Sequence, residues 1–110
     1  MEPDPEEGPV LVTIEYRIAP SRALEFVRVM ARLGRSRRRS GATRWGVFRD
    51  AADPSRYLEA YFVGSWVEHL RQHERVSVAE KELQERVHSF HVGDAAPVVS
   101  HFIAGPPTGN

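Results

Sequence analysis

Apolar residues occupy every second position across residues 10–18, with Val10, Val12, Ile14, Tyr16 and Ile18 on one side and Leu11, Thr13, Glu15 and Arg17 on the other. That period of two predicts a strand with unequal faces. After Pro20 the period changes, and Ala23, Phe26, Met30 and Leu33 recur every three or four residues beside Leu24 and Val27. The change predicts an amphipathic helix that starts near a proline and frays between Gly34 and Gly41. Alternation returns in residues 42–49 and 56–63, and Asp53-Pro54 between them marks a turn, so the two segments predict a hairpin. Ser65 with Glu68, and Ser77 with Glu80, have the spacing at which a hydroxyl and a carboxylate cap the first amides of a helix. They predict two short helices, Trp66–Glu74 and Val78–His88. A last strand spans residues 97–103, and Gly105-Pro106-Pro107 ends the ordered chain.

Strand, helix, strand, strand, helices, strand is the ferredoxin-like βαββαβ order, an α+β fold whose helices cover one face of a four-stranded antiparallel sheet. The other face is left without a cover. Strand parity sets Trp45, Tyr57 and Tyr61 among Thr13, Glu15 and Arg17 on that open face, and an aromatic sheet face predicts an interface or a ligand wall. These three residues are therefore candidates for the contact of a homodimer. Residues 1–9 are expected as a disordered acidic segment, residues 10–104 as the domain and residues 105–110 as a disordered tail.

At 110 residues the chain has room for one core, and 41% hydrophobic with 27% charged residues is the balance of an ordinary folded domain. Fifteen basic and fifteen acidic residues cancel, which removes long-range attraction to nucleic acid or anionic membrane unless a local patch supplies it. The charges are unevenly spread: −5 over residues 1–16, +9 over 17–49 and −4 over 50–110. Neutralisation of the arginines by the acidic segments within the chain is the expectation. The absence of cysteine excludes disulfides, thiolate nucleophiles and thiolate metal sites. No segment has the roughly 20 apolar residues of a membrane span, so direct membrane insertion is not expected.

His69 and His73 stand four apart, which places both imidazoles on one helix face at the spacing of helical metal pairs. The His-Glu-x-x-His order is absent, and hydrogen-bonded histidines without a metal are the expectation. Glu15 and Glu59 lie near the middle of neighbouring strands, where register would let them face one another. Such a pair either recruits an arginine or shares a proton, and a proton-holding carboxylate among aromatics can act as a general base. Arg35-Ser-Arg-Arg-Arg39 lacks interleaved aromatics and any recognition motif, so no nucleic-acid partner is expected.

The stretch from Pro9 to Pro20, Arg44-Trp45, and above all the Trp-x-Glu-His-Leu-Arg-Gln-His run from Trp66 to His73 resemble the soluble C-terminal domain fused to some major facilitator exporters of the enterobactin-exporter type. That domain is in turn similar to the antibiotic-biosynthesis-monooxygenase superfamily, whose protomers pair sheet to sheet as a dimeric α/β barrel. Haem degraders belong to this superfamily, and His88 stands where their histidine would be. Their first-strand asparagine has no counterpart, because the one asparagine is Asn110, so no cofactor is expected. The resemblance implies a cytoplasmic, noncatalytic module that binds or senses a small hydrophobic or aromatic molecule in association with a transporter. The alternatives are a cofactor-free monooxygenase acting on an aromatic substrate, and a domain that only dimerises. For either of the first two, a cavity is expected between the sheet and the helix of Trp66, His69 and His73, with Glu15, Glu59 and Tyr61 as further lining residues.

Overall fold

The computed structural model describes residues 2–105. Strand β1 (Val10–Arg17) leads through a 3₁₀ turn (Pro20–Arg22) into helix α1 (Ala23–Arg39). Strands β2 (Thr43–Arg49) and β3 (Arg56–Val63) form the hairpin, helices α2 (Trp66–Glu74) and α3 (Val78–His88) follow, and β4 (Val98–Ile103) closes the domain. The sheet order is β2-β3-β1-β4, antiparallel throughout, so this is the α+β ferredoxin-like arrangement. The expected tail lies, from residue 106 onward, outside the described residues.

The even-numbered side of β1 is the core side. Val10, Val12, Ile14, Tyr16 and Ile18 are buried beneath Phe26, Val29, Met30 and Leu33 of α1 and Val87 and Phe90 at the end of α3. Both short helices start at the serine hydroxyls that the spacing predicts, since Ser65 accepts from the Glu68 amide and Ser77 from the Glu80 amide. Helix α2 has a second cap. The carbonyls of Glu7 and Pro5 accept from the amides of Trp66 and Val67, so residues 5–7 of the segment expected to be disordered are docked at its first turn.

Two local features depart from the sequence reading. Helix α1 does not fray at Gly34 but continues to Arg39, because Gly34 is where the Trp45 ring packs. A Cβ there would stand 2.7 Å from three ring atoms. Strand β2 also breaks its alternation, with a register shift between Thr43 and Gly46 and Arg44 at a φ of 51°. The bulge turns the Trp45 side chain inward, beneath the helices.

The open face is accordingly not the one expected. Register pairs Tyr16 with Tyr57 and Val12 with Tyr61, so both tyrosines are buried on the helix side. Strand β3 is apolar on both sides, and alternation alone could not say which side meets the helices. The uncovered face instead carries Leu11, Phe48, Leu58, Ala60, Phe62, Val98 and Phe102 around Thr13 and Glu15. Phe48, Val98 and Phe102 are each more than half exposed.

Candidate functional site

Arg37 continues the buried stripe of α1 by one further turn and ends on Glu59 of β3. Its Nε and Nη2 donate to the Glu59 carboxylate at 2.6 and 3.2 Å, Trp45 Nε1 donates at 2.8 Å and the Tyr16 hydroxyl at 3.1 Å. Glu59 is fully buried, and four donors occupy its oxygens. Burial opposes the charge on Arg37, but the neighbouring Glu59 outweighs it and raises the guanidinium pKa. Burial, reinforced by the Glu59 charge, likewise raises the Tyr16 phenol. On the other side of Arg37 lies buried Glu80 of α3, 4.0 Å away, which accepts from Ser36 Oγ, Ser40 Oγ and Gln84 Nε2. The result is a rigid polar plug that ties α1, α3 and β3 together.

Beyond the plug, between the sheet and α2, lies a cavity of about 130 Å³. Val12, Ile14 and Tyr61 form its floor, His69 and His73 one wall, and Val99 and His101 of β4 its outer side. The Arg37 guanidinium lies over the Tyr61 ring, 5.1 Å from its centroid. A smaller pocket of about 60 Å³ adjoins, with Gln72, His73 and Gln84 in its lining. The helix-facing residues Val99 and His101 are exposed, so the cavity opens toward the β4 edge.

Three imidazoles meet there. The His69 ring centroid is 4.8 Å from that of His73 and 4.5 Å from that of His101, with the Trp66 ring 5.1 Å from His69. Burial, then the nearby His101 and His73, lower the His69 pKa to about 4, which keeps this ring neutral at physiological pH. Partial desolvation of their rings also lowers His101 and His88, although both side chains keep exposed surface. His69 Nδ1, Trp66 Nε1 and Gln72 Nε2 are buried without a hydrogen-bond partner among the described residues. Unpaired buried polar atoms are uncommon, and here three of them belong to one helix. Among the described residues no group of three or more metal-ligating side chains is placed to hold an ion.

Of the candidate lining residues, the structure brings Tyr61, His69 and His73 together at the cavity, and Trp66 lies behind them with its ring 5.1 Å from that of His69. Glu59 lies behind Arg37 in the plug. Glu15 is elsewhere: its register partner is Leu58, not Glu59, so the two carboxylates are on opposite faces of the sheet. Glu15 accepts from Arg56 at 2.6 Å, and this hydrogen bond is the main cause of its lowered pKa. The polar lining residues Arg37, Gln84, His88 and His101 were not among the expected ones. Arg37 follows Phe26, Met30 and Leu33 at helical spacing, and His101 alternates with Val99 and Ile103, so a signal for each was present.

Solved structures of similar fold include a protein assigned as an antibiotic biosynthesis monooxygenase from Caulobacter crescentus CB15, at a TM-score of 0.76 and 17% identity, covering 93% of this chain and 94% of that one. SnoaB, a cofactor-independent oxygenase from Streptomyces nogalater, matches at 0.71 and 15% identity, covering 92% and 97%. A conserved protein from Methanosarcina mazei Go1 matches at 0.71 and 14%, covering 84% and 89%. At these identities the likeness is one of fold. No curated protein matches the sequence. No helix among the described residues is long and apolar enough to cross a membrane. The family model that does match, described as "Transmembrane secretion effector", runs over residues 1–107, and the chain belongs to that family.

Proposed function

We propose that the domain is a noncatalytic, homodimeric module that binds or senses a small aromatic or hydrophobic molecule, in the cytoplasm and in association with a secretion transporter. The observation that carries this reading is the cavity beside α2, where the lining residue His69 has a buried Nδ1 without a partner that a ligand can supply, with Gln72 Nε2 likewise unpaired at the smaller adjoining pocket. Its size sets the scale of the ligand. An engineered apolar cavity of about 150 Å³ holds one benzene ring, so about 130 Å³ suits a single ring with a polar substituent and not a fused multi-ring compound. Family membership supports the link to a transporter. A domain that only dimerises has no need of such a void.

Calorimetric titration with phenol, 4-methoxyphenol and benzyl alcohol tests the proposal. One site per chain is expected for at least one of the three, weakened about tenfold, or 1.4 kcal/mol, by His69→Ala. Saturation by none of them, or equal affinity in the variant, overturns it. A second reading, cofactor-free oxidation of a phenol, draws support from the neutral His69 ring, the protonation state a general base requires. It demands oxygen consumption with 4-methoxyphenol that disappears in His69→Ala, whereas the binding reading demands none.

A further inference from the structure

Helix α1 presents a cationic outer face whose arginines have no carboxylate partner among the described residues. Arg28, Arg32, Arg35 and Arg39 follow one another at four- and three-residue steps along its exposed side, with Arg38 beside them. Among the described residues no carboxylate comes within 4.0 Å of any of these five guanidinium groups, although Arg17, Arg22, Arg37, Arg56, Arg71 and Arg75 all have acidic partners. The expected internal neutralisation therefore holds for the second set of arginines and not for the first.

The helix itself gains little from this arrangement. Cations in the last turn complement the helix dipole, which accounts for Arg38 and Arg39, but the dipole's effect does not reach Arg28 and Arg32. Like charges at three- and four-residue spacing repel. An external anion removes that repulsion. At 1.5 Å per residue the arginines from 28 to 39 span about 16 Å, the breadth of several lipid headgroups rather than of one small ion. At the start of the same helix Leu24 is 65% exposed and Val27 is 36% exposed. Glu25 is the acid of α1 itself, and Arg22 holds it at 3.5 Å; Glu82 of α3 shares a groove with Arg32 and Arg86 without an ion-pair contact to either.

We propose that the outer face of α1 docks on an anionic lipid bilayer, its arginines on the headgroups and Leu24 with Val27 at the acyl boundary. Arginines beside exposed aliphatic side chains, with no free aromatic on which to stack a base, fit a lipid surface better than a nucleic acid. The one aromatic nearby, Trp45, is packed against Gly34 and covered by Arg38, 5.3 Å from its ring centroid. Docking of this kind holds the domain at the membrane surface without any segment crossing it, and it does not depend on what the cavity binds.

Flotation with vesicles of phosphatidylcholine alone, and of phosphatidylcholine with phosphatidylglycerol, tests the surface. The protein is expected to float with the anionic vesicles only, and high salt should release it. Each of Arg28→Gln, Arg32→Gln and Arg35→Gln should weaken partition about fivefold, and Leu24→Ser should weaken it without changing the charge. Circular-dichroism melts of the variants separate loss of binding from loss of fold, and the salt series on the unaltered protein stands independently of them. Equal flotation with neutral vesicles, partition unchanged by the glutamine variants, or tighter binding to duplex DNA or polyuridylate than to anionic vesicles overturns the proposal.

Discussion

Glu59 is a carboxylate whose environment decides its role. It has no exposed surface, and Arg37, Trp45 and Tyr16 all donate to it. A general base needs a free lone pair directed at substrate, and this carboxylate's oxygens already accept four hydrogen bonds. Its function is to hold α1 and the β2 bulge against β3. Breaking a buried pair leaves the surviving charge desolvated and alone, so Glu59→Ala is expected to destabilise the domain by about 3–5 kcal/mol, measured by urea unfolding. A loss below about 1 kcal/mol would mean that Arg37 finds Glu80 as a full replacement, since Glu80 lies 4.0 Å from its other side. The sequence could nominate Glu59 because a charge in mid-strand among aromatics is unusual. It could not supply Arg37, which reads as one more member of an arginine run until the helix is seen to continue through Gly34.

That continuation belongs to the scale of elements. Glycine is a poor helix former, and replacing it by alanine in a helix interior ordinarily stabilises by about 1 kcal/mol. Here the added methyl would meet the Trp45 ring at 2.7 Å, and the ring is held in place by its hydrogen bond to Glu59. Overpacking costs about 1–3 kcal/mol, so Gly34→Ala is expected to lower the melting temperature although helix propensity alone says the opposite. A rise would show that Trp45 moves aside freely. The strands, helices and both capping serines were legible because periodicity and caps are local properties. What was not legible depended on contacts between elements: the face of β3 that meets the helices, the inward turn of Trp45 at the bulge, and the separation of Glu15 from Glu59. One residue of register reverses every side chain in a strand, and residues 57–63, with Tyr57, Leu58, Ala60, Tyr61, Phe62 and Val63, give either face a claim to the core.

At the scale of the whole molecule the two sides of the domain differ in kind. The helix side covers the core residues of β1 and β3, whereas the sheet side leaves Phe48, Val98 and Phe102 more than half exposed, with Leu58 and Phe62 between them. A contiguous apolar surface of this sort on a small domain calls for a cover. In the proposed homodimer that cover is the same face of a second copy, a self-complementary contact of the kind a two-fold axis generates. Stable interfaces bury roughly 1,200–2,000 Å² in total, and a four-stranded sheet face is broad enough to supply half of that. Glu15, Arg56, Arg17 and Asp53 form an ion-pair chain at one end of the face, which fits a polar rim around an apolar centre. Phe102→Asp places an unpaired charge on that apolar face without touching the helix-side core, so it is expected to convert a dimer into a folded monomer. Light scattering at micromolar concentration reads the mass, and far-ultraviolet circular dichroism verifies that the fold survives. If the unaltered protein is already monomeric, the sheet face is bare in solution and the homodimer is wrong. If Phe102→Asp stays dimeric, the two copies meet through some other surface.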